Sequence, residues 1–189
     1  MLSLPDFTPA LHDRFATDGY LPLPALVSPD ALSVLDGEVR RLEKLAVRRD
    51  FSMECMDDSP RHMTTLGGHV IAEESELIAG LYGDKSLLRL LGRIAAIAAV
   101  PVRDPLERHV INILHQQGDT HGAHTDDYPL ALVVFTEAPA DPGDGGLLEY
   151  APHTAGRCSH RPTPPASISS MRSTQIPHRE IRRNLCRLE

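Results

Sequence analysis

Hydrophobic residues change their period near residue 105 of this 189-residue chain, and few architectures accept a chain that does so. Before that point they recur at helical spacing. Ser28-Pro29-Asp30 supplies a serine cap, a proline at the first helical position and an acid in the first turn. Leu32, Leu35, Val39, Leu42 and Leu45 follow as a stripe. A second helix is predicted after Asp84, with Leu87, Leu88, Leu91, Ile94, Ala95 and Ala98 on its apolar face and Pro101 ending it. Both stripes read as core-facing. Beyond Pro105 the apolar runs shorten to HVINIL (109–114), LALVVFTE (130–137) and LLEY (147–150), separated by segments rich in Gly, Pro and Asp. Such runs predict antiparallel strands. Helices first and strands afterwards predict an α+β fold, a β-sandwich or jelly roll with the helices packed outside.

Composition narrows the function. The length fits one domain. No apolar run approaches the ~18–20 residues of a membrane span. The start, MLSLPDFTPALHDRF, lacks a basic segment followed by an apolar one, so no secretory signal is expected and a cytoplasmic protein is. A net charge of -7 argues against a nucleic-acid partner. Cys55, Cys158 and Cys186 form no CxxC pair, which argues against a disulfide framework or a zinc ribbon. Cys55 is expected to be a buried structural cysteine.

The stretch that carries chemistry is His121-Gly-Ala-His124-Thr-Asp126-Asp127-Tyr-Pro. On a strand, residues two apart share a face, so His124 and Asp126 can offer an imidazole and a carboxylate to one ion. Two histidines and one carboxylate with open positions are characteristic of non-haem Fe(II) oxygenases. A lone His-x-Asp is more often an exposed loop; here strand-like runs flank it. Other motifs point nowhere. Gly143-Asp-Gly-Gly lacks a following Lys-Ser/Thr, so it is no P-loop, and there is no GxSxG elbow. Asp126 and Asp127, as strand neighbours, face opposite ways and do not suit a glycosidase pair. Gly67-Gly68 reads as a turn.

Segments FATDGYLPLPALVSPDAL (15–32), DKSLLRLLGRIA (84–95) and HTDDYPLALVVFTEAP with GGLLEY (124–150) resemble the Fe(II)/2-oxoglutarate-dependent dioxygenases of the double-stranded β-helix fold. Within them the likeness is to the free-amino-acid branch that contains lysine-type radical halogenases and their hydroxylase relatives. The resemblance implies Fe(II) held by His124 and Asp126, 2-oxoglutarate as cosubstrate and O2 as oxidant. It implies substrate contacts from Arg61, Glu107, His121 and Asp127. An arginine suits an amino acid's α-carboxylate, and acids suit its cationic groups. From the residues alone, Arg61 reads equally as a surface ion pair with Asp57 or Asp58, Glu107 as an exposed acid, and Asp127 as a turn cap. In the halogenase members a small residue replaces the metal carboxylate so that chloride can bind. This chain keeps Asp126, which implies hydroxylation of a free, basic amino acid, a small-molecule partner with no nucleic acid or membrane involved.

The pattern breaks near Gly156. Residues 1–155 carry a balance of -12, whereas residues 156–189 carry +5. The chain thus divides into an oxygenase-like domain, 1–155, helical to about 104 with a β-core from about 105, and an unpatterned tail, 156–189. The fold calls for a distal histidine and a basic anchor for 2-oxoglutarate, and the jelly roll reads as incomplete at this end. His178, backed by Arg179, Arg182 and Arg183, is a candidate ligand, against which Pro177 and the missing strand pattern count. His153 and His160 are the other late histidines. A truncated or frame-shifted C-terminus explains the tail, and DNA across codons 150–189 tests it. An inactive oxygenase-like protein and a cupin-like metal protein of another reaction class remain alternatives; the oligomeric state is not read from the sequence.

Overall fold

The computed structural model describes residues 1–139, 141, 145–150, 174–175 and 186–188. Helix α1 (Pro9–Asp18) leads to α2 (Pro29–Leu42), then strands β1 (Val47–Met53) and β2 (Ser59–Leu66). Helices α3 (Gly68–Glu74), α4 (Glu76–Tyr82) and α5 (Lys85–Ala95) follow. The remaining strands are short: β3 (Ile111–Ile113), β4 (Leu132–Val134), β5 (Glu149–Tyr150), β6 (Thr174–Gln175) and β7 (Cys186–Leu188). The protein is therefore mixed helix and antiparallel sheet. The described strands form a three-stranded sheet, β1-β2-β3, and two pairs, β4 with β7 and β5 with β6. By themselves they do not close a double-stranded β-helix.

Side-chain caps set both helix starts, the one at Ser28 as anticipated from the sequence. Ser28 Oγ accepts from the Ala31 amide, and Asp84 Oδ1 accepts from the Ser86 and Leu87 amides, both at 2.8 Å. Helix α5 stops earlier than Pro101 requires. Ala96 takes a left-handed conformation (φ 55°) and closes the helix, leaving Ala98 outside it. Its buried residues are Leu87, Leu90 and Ile94. On α2, Leu35 and Leu42 are buried as the stripe demands, whereas Leu45 lies beyond the helix end and is exposed.

Strands within the first 104 residues were not anticipated. β1 and β2 make a hairpin in register from Val47↔Thr65 to Met53↔Ser59, with Asp57 and Asp58 at positive φ in its turn. β1 is almost wholly exposed, so it carries no alternating signature. β2 alternates, but with Ser59, Arg61 and Met63 on the buried face, a set not recognisable as a core. β3 pairs only with Thr64–Leu66, so Pro60 sits where no third strand needs its amide.

Two apolar clusters pack the helices, and the first of them reaches this sheet. Leu35 and Leu42 pack with Leu66, Ile71 and Ile78, and Ile111 and Val134 lie against them. Leu23, Leu26, Val27 and Leu87 form the second cluster, with Leu132 at its edge. Gly68 starts α3 rather than serving a turn. A Cβ there would fall 2.6 Å from the Pro105 carbonyl oxygen and 2.7 Å from that of His109, so only glycine lets α3 seat on the 105–109 turn.

Candidate functional site

Arg61 reaches its place through strand alternation. Ser59, Arg61 and Met63 point inward from β2, and Arg61 is 4% exposed. Its Nη1 donates to Ser59 Oγ at 3.2 Å and to the Pro60 carbonyl at 3.3 Å. Both acceptors are neutral, and no ion pair with a carboxylate forms among the described residues; of the two readings open for Arg61, the surface pair with Asp57 or Asp58 is not made. Burial pushes the guanidinium pKa down. A guanidinium has five N–H donors, so this buried cation retains capacity for an anion.

The imidazoles come from a loop rather than a strand, which corrects the geometry expected for His124 and Asp126. That loop is tied to the hairpin twice. Asp119, buried at its side chain, takes two hydrogen bonds of 2.8 Å from Arg48 and a third from the His115 amide. The Arg48 guanidinium holds this carboxyl well below the usual carboxylate range. Thr120 and His62 exchange two backbone hydrogen bonds, 2.9 and 2.8 Å.

Gly122 then turns the chain with φ +68°. Its carbonyl accepts from His124 Nδ1 at 3.0 Å, which in a neutral ring leaves the lone pair on Nε2. That nitrogen faces Asp126 Oδ1 at 3.3 Å. Two acceptors this close are held together by a shared cation, either a proton or a metal ion. Donors about 2.1 Å from one octahedral ion lie ~3 Å apart. The pair therefore fits two positions of a metal site. A complete set does not form: among the described residues no group of three His, Cys, Asp or Glu is arranged for a metal. His153, His160 and His178 lie outside the described residues. The His121 ring meets that of His124 edge to face, centroids 4.4 Å apart.

Glu107 and Asp127 complete the group. Glu107 is exposed at its residue yet accepts a 2.6 Å hydrogen bond from the Tyr128 hydroxyl, which pushes the phenol pKa up to about 12. Arg61, Glu107, His121, His124, Asp126 and Asp127 all line one cavity of about 220 Å3, with Met53, Met56, Leu130 and Ala131 as its apolar wall and Thr125 and Tyr128 beside them. A groove of about 490 Å3 along α5, from Lys85 to Ala99, contains no imidazole or carboxylate. Cys55 is free and exposed, not buried as expected, because it sits on the hairpin's outer turn.

Sequence reasoning missed Gly122, Tyr128 and the Arg48–Asp119 tie. Gly122 had a signal, a glycine between two histidines. The other two act through partners 21 and 71 residues away and leave no local trace.

The structure thus brings a buried cation and an imidazole–carboxylate pair together around one small cavity of a mixed helix-and-sheet protein. The family comparison is more specific: the halogenase D family model matches residues 5–179, past the change in composition at residue 156, and the chain belongs to that family. No curated protein matches it. Membership places it among halogenase-related, oxygenase-type enzymes. No described helix is long and apolar enough to cross a membrane.

Proposed function

We propose that this protein is an Fe(II)- and 2-oxoglutarate-dependent hydroxylase of a free amino acid with a basic side chain, in which the short strands belong to a double-stranded β-helix. One observation carries the reading: a buried arginine without a carboxylate partner shares a cavity with the His124–Asp126 pair and with Glu107 and Asp127. A zwitterion with a second cationic group matches that charge distribution.

His124 Nε2 and Asp126 would hold the iron, with Gly122 fixing the His124 tautomer. The iron, when bound, supplies oxidation of a C–H bond by O2, coupled to conversion of 2-oxoglutarate to succinate and CO2. The chain's own work is placement. Arg61 offers its remaining donors to the α-carboxylate, a match that a desolvated guanidinium strengthens. Glu107 and Asp127 accept from ammonium groups. Met53, Met56 and Leu130 supply an apolar wall for methylenes. Asp126 occupies the position at which the halogenases it resembles leave room for chloride, which favours hydroxylation.

The test incubates the full chain with Fe(II), 2-oxoglutarate, O2 and each of lysine, ornithine and arginine. Succinate released in step with a product 16 mass units heavier is the expected result. No amino-acid-dependent succinate, or a chlorinated product in chloride buffer, would overturn it.

A further inference from the structure

Glu107 has a fixed backbone and a poorly constrained side chain. Its turn is pinned: the Leu106 amide donates to Asp104 Oδ1 at 2.8 Å, the Glu107 and Arg108 amides donate to the Asp104 carbonyl, and the Gly68 amide donates to that of Leu106. The carboxylate beyond it stands on three rotatable bonds in an exposed residue, where an isolated acid samples many rotamers. Among the described residues one side chain holds it. The Tyr128 hydroxyl donates to Glu107 Oε2 at 2.6 Å, the length of a charge-assisted hydrogen bond. Tyr128 comes from the segment that carries His124 and Asp126, and it lines the same cavity.

The bond engages one carboxylate oxygen and leaves lone pairs on the other. A ligand ammonium meeting Oε1 thus finds a carboxylate already ordered. Without the hydroxyl, the ligand itself must order it, and affinity falls for ligands that use that charge. An apolar side chain of equal length does not call on Glu107 and feels no change.

We propose that Tyr128 is a positioning residue that sets preference for substrates with a cationic side chain, by holding the Glu107 carboxylate against the cavity. This rests on the reading of the cavity as an amino-acid site. A purely structural tie between the two segments would behave differently, weakening every ligand alike.

Titration calorimetry on the full chain with Fe(II) and 2-oxoglutarate, without O2, distinguishes the two. The probes are L-lysine and L-norleucine, which differ by the terminal amine. Tyr128→Phe is expected to weaken lysine about 3- to 10-fold, the usual cost of ordering one rotamer-rich side chain on binding, and to change norleucine less than about 2-fold. In a Glu107→Gln background the same change is expected to cost lysine nothing further. A Tyr128→Phe chain that fails to fold, or that weakens both ligands equally, would make the hydroxyl a structural tie and overturn the assignment. So would undiminished lysine binding, or an equal loss in the Glu107→Gln background. If the unaltered chain binds lysine no better than norleucine, the basic-amino-acid reading itself fails, and the role of Tyr128 with it; that result is recognisable before any variant is made.

Discussion

At Gly122 two requirements fall on one residue: a positive φ, and contact of its Cα with β2. A Cβ there would overlap the Pro60 carbonyl oxygen and lie 2.5 Å from Arg61 Nη1 and Ser59 Oγ. The strain of a left-handed alanine is of order 1 kcal/mol, and the backbone overlap cannot be relieved by a rotamer change. Gly122→Ala is expected to cost about 2–4 kcal/mol in urea unfolding and to displace both Arg61 and His124. A midpoint equal to that of the parent chain would show that the loop does not rest on β2 as described. Arg61 is expected to behave oppositely. A buried cation without a counter-ion burdens the fold, so Arg61→Met should leave stability unchanged or raise it by about 1 kcal/mol, while lowering amino-acid affinity at least 100-fold. Thermal melting and calorimetry check the two halves; a strongly destabilised variant would mean that the guanidinium holds the structure rather than waits for a ligand. Only His124 and Asp126 stood out as a motif; Arg61, Glu107, His121 and Asp127 were named by the family resemblance, since each alone reads equally as a surface or turn residue, and the structure gathers all six around one cavity. Gly122 was passed over because its meaning depends on Pro60, 62 residues earlier, and Tyr128 because its partner Glu107 is distant.

Helix starts are written locally, and the elements show it. Asp84 precedes its helix and takes two amide hydrogen bonds, so Asp84→Ala is expected to cost about 1 kcal/mol. The other end of α5 is poorly chosen by the same logic. Ala96, exposed at φ 55°, occupies the position where glycine closes helices without strain, and Ala96→Gly is expected to stabilise by about 0.5–1 kcal/mol. Denaturant midpoints for the two variants should move in opposite directions, and a stabilised Asp84→Ala would remove the cap from the account. The hairpin was illegible for the converse reason. β1 buries little, and β2 spends its inward positions on Ser59 and Arg61, so hydrophobic period carries no information there. The site uses those inward positions: the strand whose buried face is partly polar is the one that carries Arg61. Strands β3 and β4 fall within the expected runs, but three residues apiece are too few to announce which strand each will pair with.

For the molecule as a whole, the helix-then-strand order predicted a mixed fold, but the packing that joins its parts was not visible in pattern, and His109 shows this best. It lies in a run read simply as strand, yet it is 1% exposed, tilted against the Tyr82 ring at 5.2 Å, and neither ring nitrogen has a hydrogen-bond partner among the described residues. Desolvation, with the Arg108 charge next to it, pushes its pKa down to about 4 from an ordinary 6.5. The sign of the consequence follows. Above pH 6.5 the ring is neutral in folded and unfolded chains alike. Between pH 6.5 and 4 the unfolded chain takes up a proton that the folded one refuses, so stability falls with pH by about 1.4 kcal/mol per unit for this residue, some 3 kcal/mol in all. Below pH 4 the loss is complete. Carboxylates lose their contribution in a lower window: Arg41 holds Glu38 down at about 2, and Arg48 holds Asp119 below the usual range. Urea midpoints measured from pH 7.5 to 4 should therefore fall from about pH 6.5 downward in the parent chain and stay nearly level in His109→Leu, which fills similar space without a titrating group. If the variant keeps the parent's slope, the acid sensitivity comes from elsewhere and the ring is not buried in neutral form as the packing requires.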